Sequence, residues 1–343
     1  MMLRRLRPVL VTAFFLSMMA LLAKDHVLPR FREGTEATVD AGVLADMWVD
    51  QDEFLTARFG GKPIGGLRVS AERIAGDVPA YLYLAKLEVR TAFVAGSVGV
   101  VARANRRLEL EQFRASIHAG SPEPDAPPMM EIAGLVHQGE LLLRARDAGG
   151  ATRFSKQPLQ RPIVLADAMQ TLFMQAMREP GKLYTLDIVE PVFNAQMGQA
   201  QVTYERREET QTAAAIDGVP AGGRINADVF RVVLNGLESR YWISETGRVV
   251  RRIIYLGSDP TGTAPAGSRI QLLLEAADAA QLAKDYPGLR VLPAMPEYKP
   301  GDFAGESTGD PLKGLGIMSL LGRGSALQRA LPASGDPAPK EKP

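Results

Sequence analysis

Apolar and polar side chains alternate over long stretches of this chain, broken by glycine and proline, and that rhythm constrains the fold more than any other feature. In Tyr81, Tyr83, Ala85, Leu87 and Val89 one face is apolar, while Lys86, Glu88 and Arg90 fall mostly on the other. A period of two sends successive side chains to opposite faces of a strand, so such a run makes a sheet with one buried face. The same grammar marks Glu53–Phe59, Ile64–Ile74, Gly99–Ala104, Leu108–Ile117, Met129–Val136, Glu140–Arg146 and Thr152–Lys156. It resumes in Lys182–Val189, Ala200–Glu208, Val229–Asn235, Arg240–Ser244, Val249–Leu256 and near Arg269–Leu274. Turn residues punctuate the runs: Gly60–Gly61–Lys62–Pro63, Gly76–Asp77–Val78–Pro79, His137–Gln138–Gly139, Asn235–Gly236 and Glu245–Thr246–Gly247.

One stretch breaks the alternation. Leu165, Met169, Leu172, Phe173, Ala176 and Met177 recur at spacings of three and four, and Pro180–Gly181 follows. That pattern predicts an amphipathic helix over Leu165–Arg178. A second helix is expected around Glu275–Asp285. Many strands with so few helices imply one curved antiparallel sheet or half-barrel, mainly β, with one or two covering helices. A large sheet that curls must bury its concave face, and a helix laid across it does so.

The N-terminus adds a different signal. Arg4, Arg5 and Arg7 precede an apolar run, Pro8–Ala23, closed by Lys24 and Asp25. A basic flank before an apolar segment marks an export signal or signal anchor, with the arginines kept in the cytoplasm. A run of ~16 residues spans about 24 Å as a helix, short of the ~30 Å hydrocarbon core, which suits a cleaved signal. Leu21 spoils the small-x-small cleavage pattern before Ala23, and Leu3 and Leu6 lengthen the apolar stretch if the arginines snorkel. The expectation is a periplasmic domain anchored in the bacterial inner membrane, with export and cleavage as the second choice. The organisation that follows is 1–24 membrane segment, 25–52 spacer, 53–297 β domain and 298–343 Gly/Pro-rich disordered tail.

Composition narrows the function. The 343 residues carry a net charge of +1, too weak a field to point to nucleic acid as partner. The arginine pairs Arg106–Arg107, Arg206–Arg207 and Arg251–Arg252 sit among acidic residues and read as solvated strand faces. There is no cysteine, so neither disulfides, thiol catalysis nor an acylated lipoprotein N-terminus is available. The three histidines, His26, His118 and His137, stand apart, with no Gly-x-Ser-x-Gly elbow and no metal-ligand spacing. Asp46, Asp50, Asp52 and Glu53 cluster at the start of the domain and read as a solvated face. Gly314–Leu315–Gly316 and Gly322–Arg323–Gly324 follow no strand, so they are not phosphate loops. No enzyme activity, metal or cofactor is expected.

Two hairpins carry a resemblance. Phe59–Gly60–Gly61–Lys62–Pro63–Ile64–Gly65 and Arg240–Tyr241–Trp242–Ile243–Ser244–Glu245–Thr246–Gly247–Arg248–Val249–Val250–Arg251 are similar to the punctuation of uncharacterised bacterial envelope β-domains. Those domains resemble the lipoprotein-carrier half-barrels. The likeness spans about Glu53 to Leu256 and implies an envelope location and a concave binding face. Met169, Leu172, Phe173 and Met177 are then the candidate ligand contacts, because methionine adapts to irregular apolar partners. The ligand expected is a lipid or a lipidated partner. The alternative is an envelope assembly module with a packed core, docking another envelope protein through an edge strand or the tail.

Overall fold

The computed structural model describes residues 50–74, 80–91, 95–120, 127–159, 161–165, 174, 176–190, 196–234, 236–256 and 270–305. The N-terminal apolar segment, the spacer through residue 49 and residues 306–343 lie outside the described residues.

Among the described residues, fifteen strands form one sheet. The first group is β1 (Gln51–Phe59), β2 (Lys62–Ile74), β3 (Ala80–Arg90), β4 (Ala95–Ala104), β5 (Leu110–Ala119), β6 (Met130–His137), β7 (Glu140–Asp147) and β8 (Thr152–Pro158). The second is β9 (Val164–Leu165), β10 (Leu183–Glu190), β11 (Gln196–Gln211), β12 (Arg224–Leu234), β13 (Leu237–Ile243), β14 (Val249–Leu256) and β15 (Ile270–Ala276). Within each group every strand pairs with its sequence neighbour, and all these pairs are antiparallel except β9–β10. The groups are joined by β1 and β15, in register from Leu55↔Ala276 to Phe59↔Leu272. The alternating runs thus form two meanders fused along one ladder.

Hairpin chemistry fixes the register. Gly60 and Gly61 have φ of 55° and 77°, and Phe59 faces Lys62 across them. Successive left-handed residues make the turn whose twist matches that of paired strands.

The sheet curls. Leu55, Leu67, Tyr83, Val100, Phe113, Leu143, Phe230, Tyr241 and Leu274 come from strands across both meanders, yet all belong to one buried cluster. At the far side Leu110 at the start of β5 donates its N–H to Ile163 O, 2.8 Å away, one residue before β9. The β9 edge has therefore come round to β5, and the cluster fills the concave side. Burial of each large aliphatic or aromatic side chain there contributes about 1.5–3 kcal/mol.

After β15 the chain crosses the outside of the sheet as a strap. Helix α1 (Ala279–Asp285) starts at Asp278, whose side chain accepts from Gln281 N at 2.8 Å. Short 3-10 turns follow at Pro287–Arg290 and Pro300–Phe303. A row of cations on the outer face grips the strap backbone. Lys86 Nζ donates to Val291 O at 2.9 Å, Arg114 to Ala294 O at 2.9 Å, and Arg68 and Arg144 to Leu289 O and Asp302 O, each at 3.3 Å. Gln112 adds contacts to Pro296 O and Tyr298 N, both at 3.3 Å. Phe303 is buried against Ala133 and Leu142. The strap therefore runs on to Gly305, beyond Tyr298, where the sequence loses its period and the tail was expected to begin.

Gly66 on β2 is the seat of this strap. A Cβ there would stand 2.8 Å from Leu289 Cδ1, 3.1 Å from Leu282 Cγ and 3.1 Å from Tyr286 Cδ2. Leu282 and Leu289 are both buried, so they have little room to yield. Gly66→Ala is expected to destabilise the protein by about 1–3 kcal/mol through overpacking, read as a lowered urea midpoint.

Candidate ligand-binding site

Of the helical stretch read from the sequence, only Leu165 and the C-terminal end are described, and Leu165, in β9, pairs with Val189 instead of opening a helix. Met174 and Ala176 are helical. Met169, Leu172 and Phe173 lie outside the described residues. Met177, the fourth candidate contact, is fully buried with Met174 in the main core, packed with the inward residues of the sheet. The next residue, Arg178, places Nε 2.8 Å from Asp228 Oδ2 on β12. Asp228 is itself buried and accepts a long hydrogen bond from Tyr204 OH at 3.5 Å. Burial comes first among the causes that raise the Tyr204 pKa, followed by the Asp228 charge, so the phenol stays a donor. Two methionines in the core beside one ion pair therefore pin this segment to the concave face.

Three charged residues sit on inward faces that the sequence reading treated differently or passed over. The acidic surroundings of Arg251 and Arg252 in the sequence predict a solvated face for both. Only Arg251 is on the outside, where it pairs with Glu275 at 3.3 Å. Arg252 is buried, its guanidinium 4.5 Å from the centre of the Tyr241 ring. The correction follows from geometry, because adjacent strand residues always point to opposite faces. Glu53 was likewise grouped with a solvated acidic cluster, yet it is buried beside Leu55 and Ala57. Its neighbours in that cluster are engaged on the surface: Asp52 holds Arg68 at 2.9 Å and 3.1 Å, and Asp50 accepts from Arg73 N. Asp46 lies outside the described residues.

Glu53 occupies a structural gap. β15 leaves β1 at Ala276, and Ala277 N makes the last bond, to Phe54 O. Beyond that point Glu53 Oε1 accepts from Val249 N of β14 at 3.1 Å, spanning the space that β15 has vacated. Burial pushes the carboxyl up to about 7, against the lowering effects of that hydrogen bond and of Arg248. His118 is moved down, first by burial and then by Lys86 and Arg114, so at neutral pH it is a neutral ring and not an acid. Among the described residues no group of three or more His, Cys, Asp or Glu is placed to hold a metal.

A pocket of about 430 Å³ opens where the curled sheet meets itself. Its floor is apolar, with Leu110, Val136, Leu159 and Ile163, and its rim carries Glu109, Glu111 and Arg161. No local pattern along the chain announces it, since its walls come from the β4–β5 turn, the β6–β7 turn and the link after β8. Arg252, Glu53 and Asp228 were legible in principle. Each has apolar residues two positions away on its own face: Val250 and Ile254, Leu55, and Phe230.

No protein-family model matches the sequence, and no curated protein matches it. Among solved structures, the chain is similar to a beta-barrel-like protein of a domain of unknown function, DUF1849, from Brucella abortus. The TM-score is 0.46 at 7% identity, over 67% of this chain and 96% of that one.

Glu53 makes stability depend on pH. The folded state keeps its proton until about pH 7, while the unfolded chain releases it near 4.5. The folded state thus holds more protons between those values, so stability falls as pH rises through that window and levels off above it. The shift corresponds to a loss on the order of 3 kcal/mol. Glu53→Gln retains an acceptor for Val249 N but cannot ionise. It is expected to flatten the melting temperature between pH 4.5 and 8, and to melt above the parent at pH 8.

Proposed function

We propose that the chain is a non-enzymatic envelope protein that binds an apolar ligand, a lipid or a lipidated partner, on the concave face of its sheet. Its N-terminal apolar segment holds it at the periplasmic side of the inner membrane, with export and cleavage as the second form of that localisation. The observation that carries the reading is the seating of Met174 and Met177. Both are fully buried in the core of the concave face, on a segment whose next residue is pinned by the Arg178–Asp228 pair. Unbranched thioethers adapt to irregular apolar surfaces, so an acyl chain is a chemically equivalent occupant of the same space. Exchange of one for the other leaves the apolar burial, about 25 cal/mol per Å², nearly constant. Met169, Leu172 and Phe173 belong to the same apolar stripe and would line the ligand with Met177.

Full burial of the two methionines also favours a second reading. A close-packed interior suits an assembly module that docks another envelope protein, and the strap carries the chain to Phe154 on the edge strand β8 before the tail begins.

Native mass spectrometry of the exported protein, with extraction of co-purified lipid, distinguishes the two. The carrier reading expects acyl lipid in the parent and its loss in Met177→Trp, with little change in melting temperature. Under the assembly reading no lipid accompanies the parent. There Met177→Trp strains a packed core and lowers stability by about 1–3 kcal/mol.

A further inference from the structure

We infer that the pocket at the closure of the sheet is a binding site for a small zwitterion on an apolar body, an ammonium and an anionic group held on a short linker. This site lies at the margin of the concave core, whose cluster includes Leu110 and Ile163 of its floor, and does not depend on the function proposed above.

Three features support it. The walls are preorganised. Asn105 knits the β4–β5 turn, its Nδ2 donating to Glu109 Oε2 at 2.8 Å while its Oδ1 accepts from Arg107 N at 2.8 Å and Glu109 N at 3.2 Å. On the opposite side the link after β8 is bonded at both ends: Leu159 N to Gly139 O and Ile163 O to Leu110 N, each at 2.8 Å. The volume of about 430 Å³ falls within the range of sites for small molecules. The charges are complementary to a zwitterion and not to a simple ion. Glu109 and Glu111 each spend one carboxylate oxygen on a protein partner, Asn105 and Arg103 respectively, and keep the other for an ammonium. Arg161 is exposed on the same pocket and, among the described residues, has no ion-pair partner, so its planar donors are available to a carboxylate or phosphate. Below this rim Leu110, Val136, Leu159 and Ile163 offer a surface for an aliphatic group.

An ethanolamine phospholipid headgroup and a free apolar dipeptide share this chemistry. Isothermal titration of the full-length protein in maltoside detergent with hexylphosphoethanolamine and with a dipeptide of two leucines separates them. Saturable binding of at least one probe is expected, and the tighter of the two identifies the source. Arg161→Glu is expected to weaken that binding at least tenfold. Glu111→Gln is expected to remove the preference for hexylphosphoethanolamine over hexyl phosphate, which lacks the ammonium. Both substitutions alter rim side chains and should leave the melting temperature unchanged. Met177→Trp should leave this binding intact. Absence of saturable binding by either probe overturns the inference. So does binding that is equal in the parent, Arg161→Glu and Glu111→Gln.

Discussion

The pairing of β1 with β15 holds the architecture together. Each meander alone is an open sheet with two bare edges and an unshielded apolar face, a form that is marginal in water and prone to pair with other chains. Joining the first described strand to the last removes one edge from each and makes the concave face continuous. Leu55 and Ala57 then meet Leu272, Leu274 and Ala276, all buried. The contact spans more than two hundred residues, so its closure entropy falls due late and every other strand must already be near its place. Glu53 stands at the end of this ladder and extends it by one hydrogen bond to β14. A buried acid whose pKa is raised by burial thus stands at the end of this joint.

The outer face is handled by different physics. Its cations, Arg68, Lys86, Arg114 and Arg144, donate to main-chain carbonyls of the strap instead of pairing only with carboxylates. Bonds to carbonyls do not depend on the identity of the strap side chains, which explains how a segment of little periodicity is held in place. Apolar anchors set its position at both ends, with Leu282 and Leu289 over Gly66 and Phe303 over Ala133 and Leu142. Lys86 accepts partial burial in the process, and its pKa falls because that burial disfavours the charge.

Much of this was legible in the sequence. The alternation of Tyr81 to Val89 gave β3 and its buried face, and the glycine pairs gave hairpin positions to within a residue or two. A helix near Glu275–Asp285 is present as α1, with Asp278 as its cap. The failures share one cause. Arg252 and Glu53 were judged by their neighbours along the chain, whereas burial in a strand is decided by residues two positions away. Only the end of the strap, from Tyr298 on, falls in the stretch expected to be tail, because its partners Gln112 and Arg144 are 186 and 158 residues distant. The pocket at the sheet closure belongs to the same class, since only the curl of the sheet brings Arg161 to Glu111.

Two kinds of interior therefore coexist. Most of the concave side is built from rigid aromatic and branched side chains such as Tyr83, Phe113, Phe230 and Ile254, which specify one packing. At Met174 and Met177 the filling is adaptable, and a single ion pair at Arg178 holds the segment that supplies it. The binding role proposed above needs both, a frame that keeps its shape and a patch that can exchange partners. Hydrogen exchange of the amides from Met177 to Lys182, measured with and without palmitate, tests this division most directly. Faster exchange of those amides on palmitate binding, with β12 and β13 unchanged or slowed, is the result expected of a methionine plug that yields to an acyl chain. Palmitate that fails to bind, or binds without altering those amides, contradicts it.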